Sequence, residues 1–183
     1  MDQLQKYQFE QIFPGCRLLD IHEYLMEIGL KLDGVNGVRY MYHDPCHTPI
    51  KTHNPLKVVN QLMGQPVALN DRCCGESGTL AVTRPDISTQ VRFRKEEEMR
   101  KGADKLRVAG SIDETGDKTP FVGDVKILTS CPSCLQGLSR YDNDSGTTAD
   151  YIVVEMAKTL LGDQWIADYV KAANNGGIER VLL

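Results

Sequence analysis

No apolar run in the 183-residue chain approaches the roughly 18 residues of a membrane span, which argues against an integral membrane protein. A basic surplus is missing too. The 21 Lys and Arg against 25 Asp and Glu leave a formal charge of -4 and a pI near 5.6, without the positive footprint that a nucleic-acid binder needs. The one dense charge run, Arg92 to Lys101, mixes both signs at helical spacing and reads as a solvated helix face. No GxGxxG string occurs, so neither an FAD nor an NAD site is expected in this chain. The opening Met1-Asp2-Gln3-Leu4-Gln5-Lys6 is polar and unlike an export leader, which favours a cytoplasmic setting. Internal repeats and low-complexity segments are absent.

Cysteine is scarce in a telling way. Six in a chain of this length are too few for a disulfide scaffold, and their arrangement as CC and CxxC suits metal ligands or redox thiols instead. Five of the six fall in three stretches: His43-Asp44-Pro45-Cys46-His47, Asp71-Arg72-Cys73-Cys74-Gly75-Glu76-Ser77-Gly78 and Ser130-Cys131-Pro132-Ser133-Cys134. Each follows an apolar run that reads as a strand, at Val38 to Tyr42, Val67 to Leu69 and Val125 to Leu128, and each precedes a helical pattern. That order predicts an α/β fold with a three- or four-stranded, mainly parallel sheet flanked by helices. The cysteine loops then share the carboxyl edge of the strands, where such folds bind ligands.

The length suits one domain over 1–183, large enough to bury a core without disulfides. An N-terminal helix is expected within 16–34, on the spacing of Leu18, Ile21, Leu25, Ile28 and Leu32. Cys16 has no Cys or His at ligand spacing and reads as a small buried apolar residue. Within the core at 38–141, Asn54 and Pro55 should start a helix that Gly64 closes. A long helix from near Pro85, with Thr83 as its cap, should turn Ile87, Val91, Met99, Ala103 and Leu106 inward. Residues 109–123 read as an exposed loop. Two C-terminal helices are expected over 149–174, and 178–183 could add an edge strand.

A lone CxxC suits half a zinc site, a dithiol pair or part of an iron–sulfur set. Cys73-Cys74 narrows the choice. Neighbouring side chains on extended backbone point to opposite sides, so both thiolates reach one tetrahedral ion only with strain, and two irons of one cluster more easily. Gly75 permits positive φ there and Gly78 adds a second flexible point, which lets backbone fold around a bulky group. His47 could serve as a spare ligand or proton donor, although a solvent-facing role suits it better. Asp44 and Glu76 read as a turn residue and a helix-start acid.

Cys46, Cys73-Cys74-Gly75 and Cys131-Pro132-Ser133-Cys134 together resemble the cysteine-rich CCG domain, with its pattern of one Cys, then CCG, then CxxC. That domain occurs in the B subunit of heterodisulfide reductase, in the iron–sulfur subunit of glycolate oxidase, and in the carboxy-terminal part of bacterial FAD-linked oxidase and Fe–S oxidoreductase fusions. HDPCH, RCCGESG and SCPSC are most similar to the last group, and the resemblance spans about residues 38–141. It implies a [4Fe–4S] cluster on Cys46, Cys73, Cys74, Cys131 and Cys134, noncubane in some relatives. It also implies an FAD-containing oxidase domain or subunit as partner, a second CCG domain, and a place peripheral to the inner membrane through those partners. The chain would then be part of an oxidoreductase, relaying electrons from a 2-hydroxy acid such as lactate or glycolate. The spacing departs from the family: 26 residues lie between Cys46 and Cys73, fewer than usual, and 56 between Cys74 and Cys131, more than usual. A zinc-binding structural or regulatory module, and a thiol-disulfide protein using Cys131 and Cys134, are the competing readings.

Overall fold

The computed structural model describes residues 9–76, 79–109, 111–112 and 118–176. Its elements run α1 (Phe9–Ile12), α2 (Ile21–Glu27), β1 (Val38–Tyr42), α3 (Pro55–Met63), β2 (Val67–Leu69), α4 (Leu80–Thr83), α5 (Pro85–Val108), β3 (Ser111–Ile112), β4 (Lys118–Thr119), β5 (Asp124–Thr129), α6 (Pro132–Ser139), α7 (Asp142–Ser145), β6 (Thr148–Tyr151), α8 (Ile152–Leu161) and α9 (Trp165–Asn174). Four strands form one parallel sheet in the order β2-β1-β5-β6. Tyr42 stands level with Leu69 on one side and Leu128 on the other, so three strands end in one row. Among the described residues no helix is long and apolar enough to cross a membrane.

Alternation along the strands sorts the core into two layers. Tyr40, Tyr42 and Leu128 face Val58, Val59, Leu62 and Met63 of α3 and Ile152 and Met156 of α8. Met41, Val125 and Ile127 face Met99 and Ala103 of α5 and Cys134 and Leu138 of α6. Each large apolar side chain fully buried in these layers contributes roughly 1.5–3 kcal/mol. Helix α3 forms as its sequence predicts: Asn54 Oδ1 accepts from Lys57 N–H at 3.0 Å, Pro55 holds the first position, and Gly64 closes the helix at φ 64°. Only glycine fits there, because a Cβ would lie 1.9 Å from Leu32 O. Helix α5 presses so closely on β1 that a Cβ on Gly102 would meet Met41 Sδ at 2.5 Å.

Several expectations are corrected. The helix expected within 16–34 shrinks to Ile21–Glu27, since Asp20 and Glu23 form a capping box at its start and Gly29 turns to φ 81° just past its end. Leu32 still enters the core from non-helical chain, held by its N–H to Leu62 O at 2.8 Å. Cys16 is exposed rather than buried. Thr83 ends α4 instead of capping α5, which starts at Pro85 without a side-chain cap. Ile87 is exposed, and the inner stripe of α5 carries Ser88 and Lys95 with Met99 and Ala103. The expected loop at 109–123 includes a short antiparallel ribbon of β3 and β4. Ala149, expected in a helix, lies in the fourth strand, because Thr148–Tyr151 pairs with the otherwise open edge of β5. The expected strand at 178–183 lies outside the described residues.

Candidate metal centre

Backbone bonds carry the sheet ladder one step past the strands: His43 N–H reaches Leu128 O and Asn70 N–H reaches Tyr42 O, both at 2.8 Å. These bonds fix where the three cysteine loops begin. Cys46 leaves β1, Cys73 and Cys74 leave β2, and Cys131 joins β5 to α6, with Cys134 in the first turn of that helix. The sulfurs form two pairs, Cys46 with Cys73 at 3.8 Å and Cys74 with Cys134 at 3.5 Å. A cavity of about 210 Å³ lies among Cys46, Cys74, Cys131 and Cys134, bordered by Pro45, His47 and Ser133. Exposure falls across the group, from exposed Cys46 through half-buried Cys73 and Cys131 to buried Cys74 and Cys134.

The CCG loop is held from three sides. Gly75 takes φ 77°, which L residues rarely adopt, and its N–H donates to Cys73 Sγ at 3.4 Å. Ser88 Oγ donates to Gly75 O at 3.2 Å. Glu76 is no helix-start acid: it pairs with Arg92 of α5 at 3.0 Å and with Arg140, just past α6, at 2.5 Å. Gly137 lets α6 approach, since a Cβ there would lie 2.4 Å from Glu76 Cγ and 3.4 Å from Cys74 Cβ.

Behind the inner pair sits a buried polar layer. His43 is fully buried, with Nδ1 3.1 Å from Lys95 Nζ and 3.2 Å from Asn70 O. Its Nε2 has no hydrogen-bond partner. A ring nitrogen of His43 and the sulfurs of Cys74 and Cys134 lie within 4.8 Å of one another. Lys95, also fully buried, donates to Asn70 O at 2.8 Å and to Asn70 Oδ1, and pairs with Glu98 at 3.2 Å.

The thiols' charge state is set chiefly by one another, with His43 of this layer assisting. The hydrogen bond with Cys134 outweighs desolvation and, with help from His43 and the Glu76 amide, holds the Cys74 thiol down to about 4. Cys134 is pushed far above the usual thiol range by the same bond, by burial and by the Cys74 charge. The two sulfurs therefore share one proton, which leaves a thiolate ready to bind metal. Burial, then Cys73, raises the Cys46 thiol. Desolvation lowers the Lys95 ammonium against the opposing charge of Glu98.

Sequence reasoning missed Lys95, Asn70 and the inward turn of His43. A signal existed for Lys95, which precedes Met99 and Ala103 by four and eight residues and so shares their stripe. His43 follows Met41 by two and lies on the same sheet face. His47 borders the cavity, whereas His53 is tied to Glu27 at 3.0 Å, away from the sulfurs. Asp44 accepts from Tyr42 Oη at 2.9 Å. Cys16 belongs to neither sulfur pair.

The chain is similar in sequence to known proteins. Residues 40–139 match the family model described as the CCG cysteine-rich domain, and 139–183 match a domain of unknown function (DUF3400). The B subunit of a fumarate reductase (CoM/CoB) from Methanothermobacter marburgensis is 29% identical over 130 residues, covering 61% of this chain and 25% of that protein. An uncharacterized iron-sulfur protein of Methanococcus maripaludis is 23% identical over 154 residues, covering 79% of this chain and 27% of its own length. The chain thus spans about a quarter of the length of the curated relatives it matches. No solved structure matches it. The family match takes in more than half of the residues and all five clustered cysteines, and the chain belongs to the CCG cysteine-rich domain family.

Proposed function

We propose that this chain is an iron–sulfur electron-transfer module of an oxidoreductase, with a [4Fe–4S] cluster on Cys46, Cys73, Cys74, Cys131 and Cys134. One observation carries the reading: adjacent Cys73 and Cys74 send their sulfurs to different partners, Cys46 and Cys134. A single tetrahedral ion would leave such a divergent pair half used, whereas a cluster offers several irons. The residues present fit that group. Cys74 is poised as a thiolate, the Gly75 and Glu76 amides donate to the two sulfurs, and an unpartnered buried nitrogen stands beside them. Bound there, the cluster would supply reversible one-electron storage. The chain's own work is to hold the thiolates deprotonated, keep water from the inner pair, and leave Cys46 open at the surface.

In this reading, 1–183 acts as one domain of a larger cytoplasmic assembly, peripheral to the inner membrane through its partners. A flavin-bearing domain or subunit oxidises a 2-hydroxy acid such as lactate or glycolate to the 2-oxo acid, takes the electron pair, and passes it on singly; a second CCG domain completes the relay. The chain's coverage of only about a quarter of its relatives supports a module that works within a longer or multi-subunit protein. The proximity of His43, Cys74 and Cys134 favours one second reading, a zinc site completed by another of the thiolates.

Iron and sulfide analysis of protein made with iron available and purified without oxygen separates the two. The cluster reading expects brown protein with about four irons and four acid-labile sulfides per chain, bleaching in air, and loss of both on Cys46→Ala. Colourless protein with one tightly bound zinc and no labile sulfide overturns it.

A further inference from the structure

We propose that Lys95 holds His43 as the Nε2–H tautomer and that His43 donates this hydrogen to the Cys74 sulfur, so that His43 serves the metal centre as a hydrogen-bond donor and not as a ligand.

The starting point is an unpaired atom. His43 Nε2 is buried without a partner, and a ring nitrogen of His43 lies within 4.8 Å of the Cys74 and Cys134 sulfurs. Leaving a buried imidazole nitrogen unpaired is destabilising, and among the charged groups near the ring it is the Cys74 thiolate whose charge His43 stabilises. Whether Nε2 brings a hydrogen or a lone pair depends on the other nitrogen. Nδ1 faces Lys95 Nζ at 3.1 Å and the carbonyl of Asn70 at 3.2 Å. That carbonyl already takes a shorter bond, 2.8 Å, from Lys95. A hydrogen on Nδ1 would point into the space where the ammonium directs its own protons, whereas a lone pair there accepts one. The ammonium has three hydrogens: two go to Asn70 O and Oδ1, and the third lies between His43 Nδ1 and Glu98, 3.2 Å from Nζ. The Nδ1 lone pair puts the ring proton on Nε2.

A donor at this place differs in its consequences from a ligand. An N–H beside a thiolate stabilises negative charge on sulfur, and hydrogen bonds to sulfur are among the factors that set a cluster's potential. A ligand His43 would need the opposite tautomer, with Nδ1–H turned to Asn70 O. Lys95 touches no sulfur and is a positioning residue, acting through the ring.

The first test needs no metal. In reduced, metal-free full-length protein with ¹⁵N-labelled histidine, long-range ¹H–¹⁵N correlation should show His43 as Nε2–H; an Nδ1–H pattern overturns the proposal. Folded Lys95→Met should shift His43 toward Nδ1–H, and Lys95→Gln, whose amide can still donate, should restore the original form. An unchanged tautomer in Lys95→Met overturns the role of Lys95, and if neither variant folds, the wild-type spectrum still decides the tautomer. The redox arm rests on the cluster reading: His43→Leu should keep its iron and titrate at a lower midpoint potential. Loss of iron would make His43 a ligand, and an unchanged potential would remove the hydrogen bond; either overturns the proposal. Wild-type protein that takes up no cluster defeats the cluster reading instead and leaves the tautomer result standing.

Discussion

Gly137 and Glu76 should be coupled through a single contact, and a double-mutant cycle can isolate it. In Gly137→Ala the new Cβ would stand 2.4 Å from Glu76 Cγ, inside contact distance. The glutamate cannot swing clear without releasing Arg92 at 3.0 Å and Arg140 at 2.5 Å. Overpacking of this kind costs about 1–3 kcal/mol, while replacing a mid-helix glycine with alanine returns about 0.5–1 kcal/mol. The net expected loss is roughly 0–2.5 kcal/mol, or up to about 10 °C in Tm for a chain of this size. In a Glu76→Ala background Cγ is gone, and the nearest atoms are Cβ carbons at 3.4 Å, an ordinary contact. There the helix gain should appear alone, so Gly137→Ala should stabilise by about 0.5–1 kcal/mol. Thermal and urea unfolding of the metal-free, reduced proteins, followed by circular dichroism, would measure all four corners of the cycle. An equal effect of Gly137→Ala in both backgrounds would refute the claim that Gly137 is there to admit Glu76.

Gly64→Ala combines φ 64° with a Cβ 1.9 Å from Leu32 O, so urea unfolding should register a loss of about 3 kcal/mol or more. Asp20→Ala should cost about 1 kcal/mol at neutral pH through the lost helix cap. Burial raises the Asp20 carboxyl, but the hydrogen bond and charge of His22 outweigh it and hold the group below its ordinary value. Its contribution is therefore complete above the ordinary carboxylate pKa and fades as pH falls through the lower folded-state value. The stability gap between wild type and Asp20→Ala should accordingly stay constant down to about pH 4 and close below it. Cys16→Ala, at an exposed thiol outside both sulfur pairs, should leave iron and sulfide content at the wild-type level in the same anaerobic preparation.

The strands at Val38–Tyr42 and Val67–Leu69 were legible because β-branched and aromatic residues run straight into turn formers, Asp44-Pro45 and Asn70-Asp71. Helix α3 was legible because both its ends are chemically marked. Strand β6 was not: Thr148-Ala149-Asp150-Tyr151 carries a weak strand signature, and it is a strand because β5 offers an unpaired edge beside it. The same limit applies at the site. The cysteines announce themselves by spacing, since their chemistry is local to three short loops. Lys95 matters through Asn70 and His43, 25 and 52 residues away, and Glu76 through Arg92 and Arg140, 16 and 64 residues away, and the mixed charge of the surrounding run hides the one lysine that turns inward. The capping box at Asp20 and the positive φ of Gly29 cut short, one at each end, a helix whose apolar period extends further in both directions, because the period does not mark where the backbone leaves the helix.

The division of the sulfurs into an inner and an outer pair follows from where the CC dipeptide sits. It lies just past the end of β2, an edge strand, and α5 packs over only one face of the sheet there. One cysteine of the dipeptide turns under α5 and α6, joining Cys134, Met99 and Leu138 in the core layer; the other turns away, toward Cys46 and a pocket bordered by Arg72, Val91 and Arg94. The inner side is closed by apolar packing and by the Lys95, His43 and Asn70 layer, and among the described residues the centre opens past Pro45, Cys46, His47, Cys131 and Ser133, and past Cys73. In the proposed cluster, Cys46, Cys73 and Cys131 would be the sulfurs open to a partner, whereas Cys74 and Cys134 are buried. Burial of Cys74 and Cys134 with hydrogen-bond donors beside them, and exposure of Cys46, would both act on the potential of a cluster held there, since hydrogen bonds to sulfur and solvent exposure are among the factors that set it.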